Sequence, residues 1–356
     1  MGTLSELHGR NTGMIRSTDV GSLPFENGQT ETFEQRIIES LLDKLNAGIE
    51  VPNFPQFRDM NQMFLSMIEG LEKIEGGYVE ADALRVKSGE GRIAEMEIIK
   101  RNAHQIAHAV GRPIEIRFCI TGPYTLSSLF AYKTAQTFTQ LGNVLAKILE
   151  QNIFREKQCA VVLVAVDEPV FGFLDDPLLD KGSEGRETLL KAWETIFHKA
   201  AAKKAETCLH LHRTSDTLFW EIRSLKIIES HVDDPFYESE ATKKKLEAED
   251  KFVKASICRT EFDALIRKKL EAARAGKVST QEIGEAWKQI TRKTLDPKNF
   301  IEDINAMKAR LRKIVNRFGF ERVPYAGPEC GLKGFPTYEC AIECLKRVAT
   351  AIKAVK

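Results

Sequence analysis

The stretch that decides the fold is residues 159–169, which read Cys-Ala-Val-Val-Leu-Val-Ala-Val-Asp-Glu-Pro. The residues before the aspartate are apolar without strict alternation, a pattern typical of a strand buried on both faces of a parallel sheet. The proline ends strand pairing because it lacks an N–H, so Asp167 and Glu168 should stand at the carboxyl end of the strand. The segment therefore predicts a buried parallel strand that delivers two carboxylates to one edge of the sheet.

Similar β-prone segments lie on both sides of this one and alternate with helical patterns. The predicted strands are residues 14–20, 48–51, 114–120, 160–166, 207–212, 225–229, 252–257 and 322–326. Helices are predicted at residues 31–47, 60–72, 93–110, 124–158, 185–204, 217–224 and 337–355. This alternation predicts the α/β class, as a single (β/α)8 TIM barrel over residues 1–356 with helical insertions at 53–113, after strand two, and 259–320, after strand seven. A doubly wound open sheet is the main alternative, but no Gly-x-Gly-x-x-Gly follows an early strand.

Composition excludes several classes of protein. The 52 Lys and Arg residues balance 51 Asp and Glu residues, so the net charge of +1 argues against a nucleic-acid or anionic-membrane partner. The longest apolar run is far shorter than a membrane span, and the polar N-terminal segment has no secretory apolar region. Seven scattered cysteines suit a reducing compartment. We therefore expect a cytoplasmic protein.

Polar or glycine-rich residues follow most of the predicted strands. In a (β/α)8 barrel the loops at the carboxyl ends of the strands converge, and chemistry is found there. The residues concerned are Asp19 to Pro24, Thr121 to Tyr124, Asp167 to Pro169, His210 to His212, Glu229 with Ser230, and Gly327 to Leu332. Their joint placement predicts a functional site at this end of the barrel.

The pair His210 and His212 is a candidate metal site. Residues two apart on a strand point to the same face, roughly 6.6–6.8 Å apart along the backbone, so two imidazoles can reach one ion. Together with Glu229 and Cys330 they would form a nitrogen, oxygen and sulfur ligand set suited to Zn²⁺. Ligands spread over separate loops favour a catalytic zinc over a structural one. The alternative is that the histidines are hydrogen-bonded structural residues.

Two further groups have a functional and a structural interpretation. Asp167 and Glu168 can accept a cationic group of a substrate, or they can cap a helix. Gly21 and Ser22, like Gly122 and Pro123, can present backbone N–H groups to a carboxylate, or they can form tight turns.

These motifs, in this order, resemble the C-terminal catalytic barrel of cobalamin-independent methionine synthase. The resemblance covers roughly residues 15–355, is poor over 259–320, and is most specific in Pro328-Glu329-Cys330-Gly331-Leu332-Lys333. It implies a zinc-dependent methyltransferase that transfers a methyl group to a thiol, with homocysteine giving methionine. The family holds zinc by His, Cys, Glu and Cys, and His210, Glu229 and Cys330 match three of these four ligands.

The chain departs from the family at three positions. His212 stands where the family has its first cysteine; if it is not a ligand, His231 or Cys208 could complete the set. Gln56 stands near the position of a substrate-binding acid, so a thiol other than homocysteine is an alternative acceptor. Cys258 stands where the family has a histidine proposed as proton donor. The resemblance implies catalytic roles for Asp167 and Cys258, and substrate contacts from Gly21, Ser22, Gln56, Asp167 and Glu168.

The methyl donor and the reaction class have alternatives. Short single-barrel relatives resemble enzymes fed by a methylcorrinoid protein, so a methylated corrinoid protein or methylcobalamin is the expected donor, with methyl-folate as the alternative. The charged helical stretch 259–320 is the candidate docking surface for such a protein. A uroporphyrinogen decarboxylase-like lyase, which shares the fold and needs no metal, is the rival enzyme. A barrel that binds metal or a corrinoid partner without catalysis is the non-enzymatic alternative.

Overall fold

The computed structural model describes residues 14–25, 32–173, 175–274 and 276–355. Residues 1–13, on which the expectation of no secretory segment rests, lie outside these ranges. In the part of the chain that is described, no helix combines the length and apolarity needed to cross a membrane.

The strands form one parallel sheet and one hairpin. In chain order they are β1 (Arg16–Ser17), β2 (Ile68–Ile74), β3 (Gly77–Val86), β4 (Ile114–Thr121), β5 (Cys159–Glu168), β6 (Glu206–Leu211), β7 (Ile227–Glu229), β8 (Phe252–Cys258) and β9 (Tyr325–Pro328). Seven of them pair in the order β1-β9-β8-β7-β6-β5-β4, and β2 pairs with β3. The pairings within the seven-stranded sheet are all parallel.

Residues 51–56 close this sheet into a barrel. Isolated parallel bridges join Val51 to Thr18 beside β1 and Asn53 to Arg117 in β4. The N–H of Val51 donates to Ser17 at 2.9 Å, and the N–H of Arg117 donates to Pro52 at 2.9 Å. The segment that follows the predicted second strand therefore occupies the eighth position, and the predicted (β/α)8 barrel is confirmed.

Helices surround the barrel. They are α1 (Phe33–Asn46), α2 (Met60–Ser66), α3 (Ala94–Arg101), α4 (Ala103–Val110), α5 (Pro123–Ser127), α6 (Ala135–Asn152), α7 (Glu184–Ala202), α8 (Glu240–Ala248), α9 (Phe262–Arg274), α10 (Thr280–Thr291), α11 (Ile304–Phe318) and α12 (Tyr338–Lys353). Side chains satisfy several of their free N–H groups, as in the capping box of Thr32 with Gln35 and that of Ser279 with Glu282. Their apolar faces pack on the strands, whose central residues are completely buried.

The two insertions differ in content. Residues 259–320 hold α9, α10 and α11, as the helical pattern predicts. Residues 53–113 hold helices and also the antiparallel β2–β3 hairpin, which the sequence analysis missed. The signal for it was Gly76-Gly77, whose φ angles of 93° and 147° suit a turn that glycine makes without strain. The long helix predicted at 124–158 is also interrupted, because Thr134 caps a new helix, α6.

Candidate metal centre at the barrel mouth

Three neighbouring strands bring polar side chains to one level of the barrel. In the parallel register, Asp167 of β5 pairs with His210 of β6, and His210 pairs with Glu229 of β7. Paired residues of parallel strands point to the same face of a sheet, so these side chains face the barrel interior together.

A cluster of three histidines and one cysteine lies beside them. The ligand atoms of His210, His212, His231 and Cys330 all lie within 4.8 Å of one another. Cys330 Sγ is 3.6 Å from His212 Nε2, and the ring centroids of His212 and His231 are 3.9 Å apart. A tetrahedral zinc with bonds of about 2.0–2.3 Å separates its ligand atoms by roughly 3.5 Å, so small side-chain movements would complete a site. We call this group the His3Cys cluster.

Buried nitrogen atoms of the cluster fit a metal ion. Within the described residues, Nε2 of His210 and Nε2 of His231 are buried and have no hydrogen-bond partner, while Nδ1 of His210 makes only the ion-pair contact of 2.6 Å with Glu229. An unpaired buried polar atom is costly, and a bound cation would pair with the lone pair of His231 and, once the His210 ring has lost its extra proton, with that of His210. The donor set of imidazoles with one thiolate is also one that zinc prefers.

Two of the three histidines are neutral. Burial, reinforced by the neighbouring histidines, lowers the pKa of His212 to about 2 and the pKa of His231 to about 4. For His210, burial acts to lower the pKa, but Glu229 and Cys330 outweigh it and raise this pKa to about 10. His212 and His231 therefore offer free lone pairs near neutral pH, as metal ligands must.

Glu229, expected as a ligand, is not part of the His3Cys cluster. Its two oxygens accept a bidentate pair of hydrogen bonds from Arg117, both at 2.9 Å. Its Oε1 lies 2.6 Å from Nδ1 of His210, and its Oε2 lies 3.6 Å from Nζ of Lys254. Burial alone would raise the pKa of Glu229, but Arg117 and Lys254 hold it well below its usual range. In the structure this carboxylate therefore lies behind His210, on the side away from the cluster.

Asp167 is an incompletely paired carboxylate at the same level. Its Oδ1 has no hydrogen-bond partner among the described residues, and the guanidinium of Arg117 lies 3.9 Å away. The side chain is 19 % exposed. Burial raises the pKa of Asp167, and a cationic ligand beside the carboxylate would lower this pKa again. This geometry suits the predicted role of Asp167 as acceptor for a positively charged group.

Glu168, expected to contact substrate, instead supports the fold. Its side chain is completely buried and accepts hydrogen bonds from Tyr124 N, Thr125 N, Thr125 Oγ1 and Trp193 Nε1 at 2.6–3.0 Å. These donors lie at the start of α5 and on α7. The carboxylate thus satisfies free N–H groups at the start of α5, a helix that precedes β5 in the chain, whereas the predicted cap belonged to a helix begun by the motif itself.

We expect the stability of the protein to report the ionisation of Glu168. Burial raises its pKa to about 7, above the value of about 4.3 for an unfolded chain. Between these two pH values the carboxyl group of Glu168 is protonated in the folded protein but ionised in the unfolded chain. The free energy of unfolding therefore falls, on the order of 3 kcal/mol, as the pH rises from the lower value to the higher one. Glutamine does not ionise, so Glu168→Gln should not show this fall. The free energy of unfolding of the variant minus that of the wild type should therefore increase from pH 4.5 to pH 7.5. Urea denaturation across this range checks it, and a pH-independent difference between the two proteins would contradict it.

Gly21, Ser22 and Gln56 lie together beside the Cys330 loop. Gly21 has a φ of 120°, and a Cβ there would lie 2.6 Å from Asn53 Nδ2, so glycine is required. Ser22 pairs with Gln56 by a parallel bridge, and the N–H of Leu332 donates to Ser22 at 2.8 Å. The Gln56 amide is buried and donates to Cys119 Sγ at 2.7 Å. These residues shape one wall of the mouth.

Cys258, the other predicted catalytic residue, is turned away from the His3Cys cluster. Its thiol is completely buried and lies 3.5 Å from the thiol of Cys344 on α12. The hydrogen-bonded Cys344 thiol and burial raise its pKa well above the usual range. The thiol therefore faces α12 in the structure, and a catalytic role for Cys258 stays a prediction.

The sequence analysis missed two residues of the site and named a third only as an alternative ligand. His231, named as an alternative ligand, lies in the loop after β7, two residues beyond Glu229. Arg117 and Lys254 were not singled out, although each interrupts an apolar strand and is completely buried. A charge within a buried strand was the available signal, since such a charge needs a partner inside the barrel.

No protein-family model matches the chain. A curated methionine synthase of Sulfolobus acidocaldarius is 26 % identical over 142 residues, which is 39 % of this chain and 42 % of that protein. The chain therefore matches less than half the length of this curated relative. A B12-independent methionine synthase from Shewanella sp. W3-18-1, solved in complex with selenomethionine, superposes with a TM-score of 0.60 over 96 % of this chain and 98 % of that one, at 14 % identity. The chain has the barrel fold of a B12-independent methionine synthase.

In this methionine synthase-like barrel a cavity of about 510 Å³ opens beside the His3Cys cluster. His212 and His231 form part of its wall, together with Arg213, Asp234 and Glu329. Glu329 accepts from the N–H groups of Val232 and Thr260, both at 2.9 Å, and so ties together the loops after β7, β8 and β9. The cavity is large enough for a small metabolite next to the cluster.

Proposed function

We propose that the protein is a zinc-dependent thiol methyltransferase that converts homocysteine to methionine. The observation that carries the proposal is the His3Cys cluster at the barrel mouth, with two buried imidazole nitrogens that have no partner within the described residues. The names of the two similar proteins support it, and the Shewanella protein is described in complex with selenomethionine, an analogue of the product.

The residues of the cluster would hold the metal, and a bound zinc would acidify a substrate thiol that joins the four ligands or displaces one of them. Asp167 orients the substrate by accepting its ammonium group, and the cavity that His212 and His231 line offers space beside the cluster. In the transfer, the substrate sulfur forms a bond to the methyl carbon, and the bond from that carbon to the donor breaks with its electron pair leaving on the donor. Three imidazoles and one thiolate bring a single negative charge to the metal. The substrate thiolate should therefore form at lower pH, and be less nucleophilic, than in a site with more anionic ligands.

As methyl donor we propose a methylcorrinoid, whose leaving group needs no proton. The support is the position of Cys258, whose thiol is buried against Cys344 rather than facing the mouth. The next residue, Arg259, is held by Asp233 and Glu302 and stays charged. Side-by-side kinetics with methylcobalamin, a methylated corrinoid protein and methyltetrahydrofolate test the choice, and efficient turnover of the folate would reverse it.

We expect purified protein to hold one zinc per chain and to release a proton when homocysteine is added. Metal analysis and a weakly buffered pH-indicator titration measure the two quantities. Protein that binds no zinc would favour the decarboxylase alternative. Zinc without thiol-linked proton release would favour a non-catalytic scaffold.

Asp167→Asn should raise the KM for homocysteine by about 10- to 100-fold, because a hydrogen bond to a charged group contributes about 1.5–3 kcal/mol. Zinc content should not change, since Asp167 is not in the His3Cys cluster. Glu168→Gln, one residue further along β5, is the matched control and should leave this KM unaltered. An unchanged KM for Asp167→Asn would exclude Asp167 from substrate recognition.

A further inference from the structure

Glu229 is the hub of a charged network inside the barrel. It is completely buried, and its oxygens contact side chains from three other strands. Arg117 comes from β4, Cys208 and His210 from β6, and Lys254 from β8. Both oxygens are therefore engaged before any metal is considered.

Arg117 is the strongest of these partners. It is completely buried and spans the barrel from β4 to β7, two strands of the sheet that are not neighbours. Its two terminal nitrogens each contact one oxygen of Glu229 at 2.9 Å. Only a guanidinium offers this planar fork; an ammonium can neutralise the charge but cannot hold both oxygens in one orientation.

The held carboxylate in turn fixes His210. Oε1 of Glu229 lies 2.6 Å from Nδ1, which leaves the other ring nitrogen, Nε2, buried and without a hydrogen-bond partner among the described residues. A histidine that ligates a metal commonly has its second nitrogen held by a carboxylate, which sets the ring orientation and the basicity of the ligand. Lys254 adds a second cation 3.6 Å from the same carboxylate and also donates to the carbonyl of Pro328, two residues before Cys330.

We propose that Arg117 is a positioning residue of the metal centre: it retains Glu229 behind His210, so that the metal is held by three imidazoles and the Cys330 thiolate and not by Glu229. The inference rests on the metal site of the proposed function. It assigns Glu229, a ligand in the family that the sequence resembles, to a supporting role in this chain.

The first test uses the unaltered protein. X-ray absorption at the zinc edge should fit three imidazole nitrogens and one sulfur, without a carboxylate oxygen. A carboxylate oxygen bound to zinc in the wild type would overturn the inference, whatever any variant does.

The second test changes Arg117. Arg117→Met should weaken zinc binding by about 10- to 100-fold in competition with a chromophoric chelator, the range found for outer partners of metal ligands. It should also change the visible spectrum of the cobalt-substituted protein, because the freed carboxylate can reach the metal. Arg117→Lys keeps the charge without the fork and should recover part of the affinity. In the double variant Arg117→Met with Glu229→Gln, the two losses of zinc affinity should not add, because both substitutions remove the same support of His210.

The matched control is Arg186→Met, which removes a bidentate pair with Asp216, at 2.9 and 3.1 Å, outside the His3Cys cluster. Its zinc affinity should equal that of the wild type. If Arg117→Met binds zinc with unchanged affinity and spectrum while the wild type transfers methyl groups, only this inference fails. If the wild type binds no zinc, both this inference and the proposed function fail.

Discussion

Replacing Cys330 by alanine should remove zinc from the protein and lower the rate of thiol methylation by at least about 100-fold, since loss of even an outer partner of a metal ligand costs 10- to 100-fold. Cys330 provides the only anionic ligand of the His3Cys cluster, so three neutral imidazoles would remain to hold a doubly charged ion. Metal analysis and steady-state kinetics measure the two effects. The side chain is half-buried in the loop after β9, so the fold should survive the change.

Cys344→Ser is the control for this substitution. Its thiol contacts Cys258 on the helix side of β8 and is not part of the cluster. The control should keep one zinc per chain and wild-type kinetics. Cys330→Ala protein that still carries a full zinc would show that the thiolate is not a ligand.

Asp19→Ala should lower the free energy of unfolding by about 3–5 kcal/mol, the cost of leaving a buried charge without its partner. Asp19 Oδ2 lies 2.7 Å from Nζ of Lys44, and the side chains are 4 % and 0 % exposed. Lys44 also donates to the carbonyl groups of Gly21 and Asn53, so this pair joins α1 to the first two loops of the mouth. Burial lowers the pKa of Lys44, and Asp19 is the group that opposes this lowering most. Urea denaturation measures the loss.

An exposed pair with similar geometry provides the comparison. Glu238 and Lys313 lie 2.6 Å apart, but their side chains are 65 % and 67 % exposed. Because water screens such pairs, Glu238→Ala should cost less than about 1 kcal/mol. If Asp19→Ala were no more destabilising than Glu238→Ala, the buried pair would not hold the mouth together.

Much of the fold followed from local patterns. The apolar run before Asp167 predicted a strand buried on both faces, and β5 is such a strand. The hairpin β2–β3 was missed because nearly all of its residues are exposed or half-buried and many carry charges, so the apolar alternation that marks a half-buried strand is weak there. The polar residues at strand ends indicated the mouth of the barrel, because parallel strands must all end on the same side.

The roles of individual side chains followed less well. For Glu168 the sequence allowed a substrate contact or a helix cap, and the choice depends on donors at the start of α5 and on Trp193, which lies 25 residues further along the chain. For Cys258 the family resemblance suggested catalysis, but an irregularity in the pairing of β8 with β9 precedes it, and its thiol lies against Cys344 of α12. Such contacts depend on packing between elements, which residue types alone do not specify.

Local patterns in the sequence predicted the parallel barrel, the end of the barrel at which the polar residues collect, and three members of the His3Cys cluster: His210, His212 and Cys330. Local periodicity, proline and strand length are properties of short segments, so they can be interpreted without coordinates. Only the tertiary structure decided that His231 completes the cluster while Glu229 stands behind His210. The reason is that Arg117, 112 residues before Glu229 in the chain, reaches across the barrel and engages both carboxylate oxygens. Which side chains meet inside a closed barrel depends on the register of strands that are not neighbours, and no local pattern encodes that register.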